Sequence, residues 1–422
     1  MQRWSAMVLR FAQRDPIGSA SLWPVSCTRN NEQITIPCAF MRGGSSRGGF
    51  FLDEDLPPVG PQRDAVLLAA YGSPDIRQID GIGGADPLTS KAAVVKRSDR
   101  ADADLEYTFY QIGIDQPKVS TGGNCGNMLA AVGPFAIHRG LIQATEPETV
   151  VRIYTTNTRQ VVTARIPVRN GEPLCEGDCA IAGVPDPGAA IRLDFGDCSG
   201  AVSGKLLPTG NARDTIVVEG RSIEVSFIDA ATAFVFVRAA DIGGTGTELP
   251  DELHANEALM RRLEYVRGWA AVMLGLVDSP ELARAQTPNI PRVIMIAQPA
   301  SYRAVNGESI AASNIDICVR QLSMQRPHKA LAVTGAVCTA VASALRESIV
   351  AEVIGTSPTN VRLGHPSGVM HVAARTRRDP QGALTIESAE IERTARLIME
   401  GTLFIRRRKI EQLAIALQGK LE

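Results

Sequence analysis

Cys125 stands among glycines at the head of an apolar run, TGGNCGNMLAAVGPFAIHRGL, residues 121–141. Gly122, Gly123 and Gly126 leave the backbone free to turn sharply and to approach a ligand closely. The apolar run predicts a helix over 125–139, with Asn124, Cys125, Gly126, Asn127 and Met128 at its start. Unpaired N–H groups and the helix dipole make such a start an anion site, and the same field favours thiolate. A structural thiol beside a tight turn has the same local pattern. A second chemical residue is Lys91, in TSKAAVV. A lysine that enters a buried strand loses solvation, which lowers its pKa and lets it act as a base near neutrality. A lysine snorkelling from a strand end reads the same way.

Three further stretches carry polar groups on glycine-rich turns. MRGGSSRGGFF places Ser45, Ser46 and Arg47 between two strands, where hydroxyls and a guanidinium can cradle a carboxylate or phosphate. It has no GKS or GKT and is not a P-loop. In LAVTGAVCTAVA, Thr334, Gly335 and Ala336 precede a second small-residue helix, so the turn-then-helix pattern of 121–141 recurs weakly. GHPSG holds His365 and Ser367 in a loop between strands.

These turns need rigid elements around them. Strands are predicted at 106–114 and 150–168, and again through TIVVEG, SIEVSFID, FVFVRAADIG, PRVIMIAQP and IDICVRQLSMQ. Helices are predicted at 62–73 and within 250–277, and a small tail or helix at 408–422. Ordered structure is expected from Ile34. This gives an N-terminal extension at 1–33, a first domain at 34–195, which 400–422 are available to complete, and a second at 196–399. Each domain would wrap strands around one helix, with both helix starts facing a shared cleft. Two such positive ends suit a ligand with several carboxylates.

Composition removes other classes. The net charge is -1 and aromatics are 5%, which argues against nucleic acid as a partner. No apolar run reaches the roughly 18–20 residues of a membrane span. The 8 cysteines form no CxxC pair, and Cys175 and Cys179 lack a second half-site, so no metal is expected. Scattered thiols fit a reducing compartment. The expectation is cytoplasmic, or mitochondrial if the segment with Arg3, Arg10, Arg14 and Arg29 is a transit peptide; an unstructured extension is the other reading.

Taken together, MRGGSSRGGFF, GIGGADPLTSKAAVV, NCGNMLAAVGPFAIHRGL, SGKLLPTGN, TGTELP, TGAVCTAVA, GHPSGVM and RTARLIMEG resemble the PrpF-type isomerases, relatives of diaminopimelate epimerase. The likeness spans about residues 36–408. It implies an α+β, diaminopimelate epimerase-like fold: two similar domains, each a mostly antiparallel barrel-like sheet around a central helix, with the active site in the interdomain cleft. It implies a cofactor-independent isomerase. The substrate would be an unsaturated di- or tricarboxylic acid of the aconitate, 2-methylaconitate, methylitaconate or oxalomesaconate type. A proton is moved so that the double bond shifts or changes geometry. The family's catalytic lysine falls on Lys91 and the epimerase-type first cysteine on Cys125. A homodimer is compatible with the likeness.

Three departures bear on function. The second thiol of true epimerases is replaced at or beside Ala332, which disfavours an amino-acid epimerase or racemase. Thr232-Ala233 stands where relatives often carry Asn-Pro, and Arg47 where lysine is frequent. A non-catalytic polycarboxylate-binding protein on the same fold is the remaining alternative.

Overall fold

The strand Gln33–Gly43 buries alternate side chains and starts a sheet that runs through the whole molecule. The computed structural model describes residues 26–196, 198–355, 360–378, 380 and 384–418. Most of the N-terminal segment, including Arg3, Arg10 and Arg14, lies outside the described residues. Ser26 and Cys27 pair with Thr35 and Ile34, so ordered pairing reaches back beyond the expected start.

From Gln33–Gly43 the sheet passes to Ser46–Leu52, then in parallel to Lys91–Arg97, and antiparallel to Leu105–Ile112. It continues in parallel to Glu148–Thr155, then antiparallel through Gln160–Arg169 to Ile191–Asp194. The second half repeats this order. Arg221–Ala230 pairs antiparallel with Thr232–Arg238, which lies parallel to Arg292–Ala297, itself antiparallel to Ile317–Ser323. Asn360–His365 follows in parallel, then Gly368–Arg378 and Leu384–Arg393. The halves join where Ile191–Asp194 pairs with Leu384–Arg393. The α+β architecture expected of the sequence is the one the chain forms.

The last strand, Ala395–Arg406, returns to the first half and pairs with Gln33–Gly43 along its length. Arg407–Gln418 then forms a helix whose Leu413 packs with Ala65 and Leu68 of the helix Pro61–Ala70. The region 150–168 is two strands, because Arg159 takes a left-handed φ of 56° and reverses the chain.

Each half encloses a helix. In the first, the predicted 125–139 helix is two short ones, Gly126–Leu129 and Val132–His138. Pro134 has no N–H to give the carbonyl four residues back, so the ladder tightens at Ala130 and Ala131, which donate to carbonyls only three residues behind. In the second, Val333–Ala344 is almost entirely buried. Thr334 and Gly335 lie inside its first turn rather than before it. One apolar core takes in both helices; Phe50 and Phe135 meet there at 5.6 Å between ring centroids. Each fully buried side chain of this size contributes about 1.5–3 kcal/mol. Among the described residues no helix is long and apolar enough to cross a membrane.

Candidate active site

The two helix starts meet face to face. A Cβ placed on Gly126 would lie 2.5 Å from Cβ of Val333, so only glycine allows the approach. The MRGGSSRGG hairpin closes on the same point: a Cβ on Gly43 would stand 2.4 Å from the Asn127 carbonyl, and one on Gly44, at φ +52°, 2.1 Å from Asn127 Oδ1. The glycines are there to let three backbones converge. Of the glycines before Cys125, Gly123 takes a positive φ, 137°, and turns the chain into the helix.

Around this junction is a cleft lined by Ser46, Lys91, Phe109, Gln111 and Cys125 from the first half, and by Asn289, Arg292, His328 and Thr334 from the second. Asn124, Gly126 and Asn127 complete its floor, with Ala332 and Val333 opposite. Lys91 opens its strand and is 8% exposed. Its Nζ donates to Gln111 Oε1 at 3.3 Å, lies 3.6 Å from Cys125 Sγ, and sits 5.2 Å from the Phe109 ring centroid. Among the described residues it has no carboxylate partner. The nearby carboxylate of Asp86 is taken by Lys329 of the other half at 2.6 Å. Tyr71 fixes the lysine's main chain: its hydroxyl donates to the Lys91 carbonyl and accepts from the Gly49 amide. Gly48 beside it has no room for a side chain, since a Cβ would meet the Lys91 carbonyl oxygen at 1.7 Å.

Arg292 opens the corresponding strand of the second half, as Lys91 does in the first. It is 9% exposed and burial pushes its pKa down. Its guanidinium donates to Asn289 through the carbonyl and Oδ1, and no described carboxylate pairs with it. A buried, uncompensated guanidinium in a cleft is a seat for an anion. Ser46 and Thr334 add buried hydroxyls whose oxygens have no partner among the described residues.

The structure therefore gathers Lys91, Cys125, Ser46, Asn124, Gly126, Asn127 and Thr334 at one cleft. Ser45 is one layer away, accepting from Asn127 Nδ2 at 3.2 Å. Met128, Gly335 and Ala336 bring only backbone to the helix starts; Met128 is fully buried in the core and a Cβ on Gly335 would meet Gln321 Oε1 at 2.6 Å. Three expected contacts, Arg47, His365 and Ser367, do not line this cleft. Arg47 follows Ser46 along a strand, so it points to the opposite face, with its guanidinium 5.8 Å over the Phe40 ring. His365 is wholly buried and accepts the Ser367 amide on Nδ1 at 3.2 Å. Ser367 gives its hydroxyl to the Lys329 carbonyl, bracing the segment that carries His328. Sequence reading missed Phe109, Gln111, Asn289, Arg292 and His328. Arg292 had a local signal, a charged residue opening the apolar run RVIMIA, the same signal that singled out Lys91.

Cys27, Cys38, Cys125, Cys175, Cys179, Cys318 and Cys338 are free thiols, and among the described residues no three His, Cys, Asp or Glu side chains cluster as a metal site would need.

An amine and a thiol beneath two abutting helix starts, inside a repeated sheet, define the diaminopimelate epimerase-like α+β class. The likeness extends to a hydroxyproline epimerase from Agrobacterium vitis, with a TM-score of 0.51 at 12% identity over 88% of this chain and 93% of that one. The chain belongs to the PrpF family, whose model, described as PrpF protein, matches residues 33–406. It is 40% identical to the 3-methylitaconate isomerase of Eubacterium barkeri over 90% of this chain and all of that one. It is 41% identical to the 4-oxalomesaconate tautomerase of Pseudomonas putida, over 89% and 97% respectively. A solved methylitaconate-delta-isomerase superposes with a TM-score of 0.76 at 40% identity, covering 90% of this chain and 97% of that one. The chain is an enzyme of the isomerase class.

Proposed function

We propose that the enzyme shifts a double bond, or exchanges its cis and trans geometry, in an unsaturated di- or tricarboxylate, with Lys91 carrying the proton. The observation that carries this reading is the Lys91 amine, buried in the cleft within reach of Cys125 Sγ and, among the described residues, without a carboxylate partner. The names of the relatives supply the class of acid.

Such an acid has a CH₂ between a carboxylate and a C=C. Lys91 Nζ takes a proton from that carbon, and the electron pair spreads over the allylic system and its carboxylate. The amine returns the proton at the far carbon, and the double bond has moved. For geometric exchange, rotation about the transiently single bond comes before the return. Arg292, the hydroxyls of Ser46 and Thr334, and the free amides at the two helix starts hold the carboxylates and oppose the charge that builds up. Cys125 positions the amine or acts as a second acid. Ala332 caps the second helix, at or beside the place where the resemblance puts the other cysteine of a two-thiol epimerase, so racemisation of an amino acid is disfavoured.

The test is an ultraviolet assay across cis-aconitate, trans-aconitate, alkylated aconitates and itaconates, and oxalomesaconate. Proton magnetic resonance in deuterated water then identifies the carbon that exchanges. Binding of these acids with no spectral change in any would overturn the proposal.

A further inference from the structure

His328 is a cleft residue with an assignable tautomer. It follows the turn at Met324 and Gln325, both at left-handed φ, and its backbone is pinned by a 2.8 Å bond from its amide to the Gln321 carbonyl. Nδ1 accepts the Ala330 amide at 3.0 Å, so in the neutral ring the proton is on Nε2. Among the described residues Nε2 has no protein partner, and His328 is half-buried in the wall of the cleft. The groups facing the ring are Lys91 and Arg292, the Asp86 carboxylate already held by Lys329, and His365 behind it. Burial, and then Lys91, pushes its pKa down to about 4, which favours the neutral ring near pH 7.

We propose that His328 is a catalytic residue, its Nε2–H donating to the substrate carboxylate oxygen on which charge accumulates while Lys91 withdraws the proton. This rests on the polycarboxylate reading above. In the step, the substrate C–H bond breaks and an N–H bond forms on Lys91. The electron pair passes to the carboxylate, and the imidazole keeps its own proton. Arg292 attracts a carboxylate before and after this step almost alike. A neutral donor fixed by the Ala330 amide gains most when the oxygen takes on further charge, and so favours the transition state over bound substrate.

The experiment compares His328→Leu and His328→Gln with wild type, using whichever acid of the panel the wild type converts. Loss of one such donor should lower kcat about 100-fold in the leucine variant, with KM changed only a few-fold. The glutamine variant, which keeps an N–H, should recover at least about tenfold of that. With ¹⁵N-labelled histidine, the saturated tricarboxylate tricarballylate should shift the Nε2 resonance of His328. A leucine variant within about threefold of wild-type kcat, or a glutamine variant no better than leucine, overturns the assignment. If the wild type converts no acid of the panel, the polycarboxylate reading falls and this one with it; if it converts one and the leucine variant keeps pace, this one alone falls.

Discussion

Lys91 and Arg292 hold equivalent positions in the two halves of the sheet, each the first residue of the strand that lies parallel to its predecessor. The repeated topology brings an amine and a guanidinium to one cleft from opposite sides. The guanidinium stays charged and cannot carry a proton. In the proposed reaction the Lys91 amine moves the proton and the Arg292 guanidinium helps to hold the acid.

Lys91→Met should lower turnover by at least about a thousandfold while circular dichroism and melting stay near wild type. Near wild-type turnover would remove the lysine from the mechanism. Cys125→Ser should retain measurable activity, because the thiol has no partner thiol across the cleft; complete loss would make Cys125 a proton carrier.

Arg292→Gln should act mainly on binding. A charge-assisted hydrogen bond contributes about 1.5–3 kcal/mol, so KM should rise about 10–100-fold with a smaller fall in kcat. Steady-state kinetics on the acid that the wild type converts checks this, and an unchanged KM would place the carboxylate elsewhere.

Gly126→Ala should force the helix starts apart, since the new Cβ would stand 2.5 Å from that of Val333. The overpacking should cost about 1–3 kcal/mol by chemical denaturation, and activity should fall with it. Adding Val333→Gly should restore part of both. If the double variant is no better than the single one, the contact is not what requires glycine.

His365 predicts a dependence of stability on pH. Its pKa is pushed down to about 3, first by burial and then by Arg393, Arg320 and His328. The unfolded chain binds a proton below roughly pH 6.5 that the folded ring refuses. The stability this one ring contributes is therefore complete above that pH and erodes as pH falls towards 3, by at most about 1.4 kcal/mol per pH unit. Melting temperature should drop between pH 7 and pH 5, and His365→Gln should flatten the slope. A wild-type melting temperature independent of pH over that interval would contradict it.

Residue type and short-range spacing were enough to single out Lys91 at the mouth of an apolar strand, the glycines around Cys125, and the family to which those motifs belong. These features are local, and a glycine next to a helix start means much the same in any fold. Helix limits were less legible: Pro134 sits inside a convincing apolar run and still breaks it. Arg47 looked like a carboxylate ligand beside Ser46, but strand alternation sends neighbours to opposite faces. Arg292, Asn289 and His328 reach Lys91 from roughly 200 positions away in the chain, through sheet pairing and packing that no local pattern encodes. The sequence by itself determined the family, and it marked Lys91 and Cys125 as groups with chemistry to offer. The tertiary structure decided which of them share a cleft, because that depends on the register of distant strands and on how closely Gly126 lets the two helix starts approach.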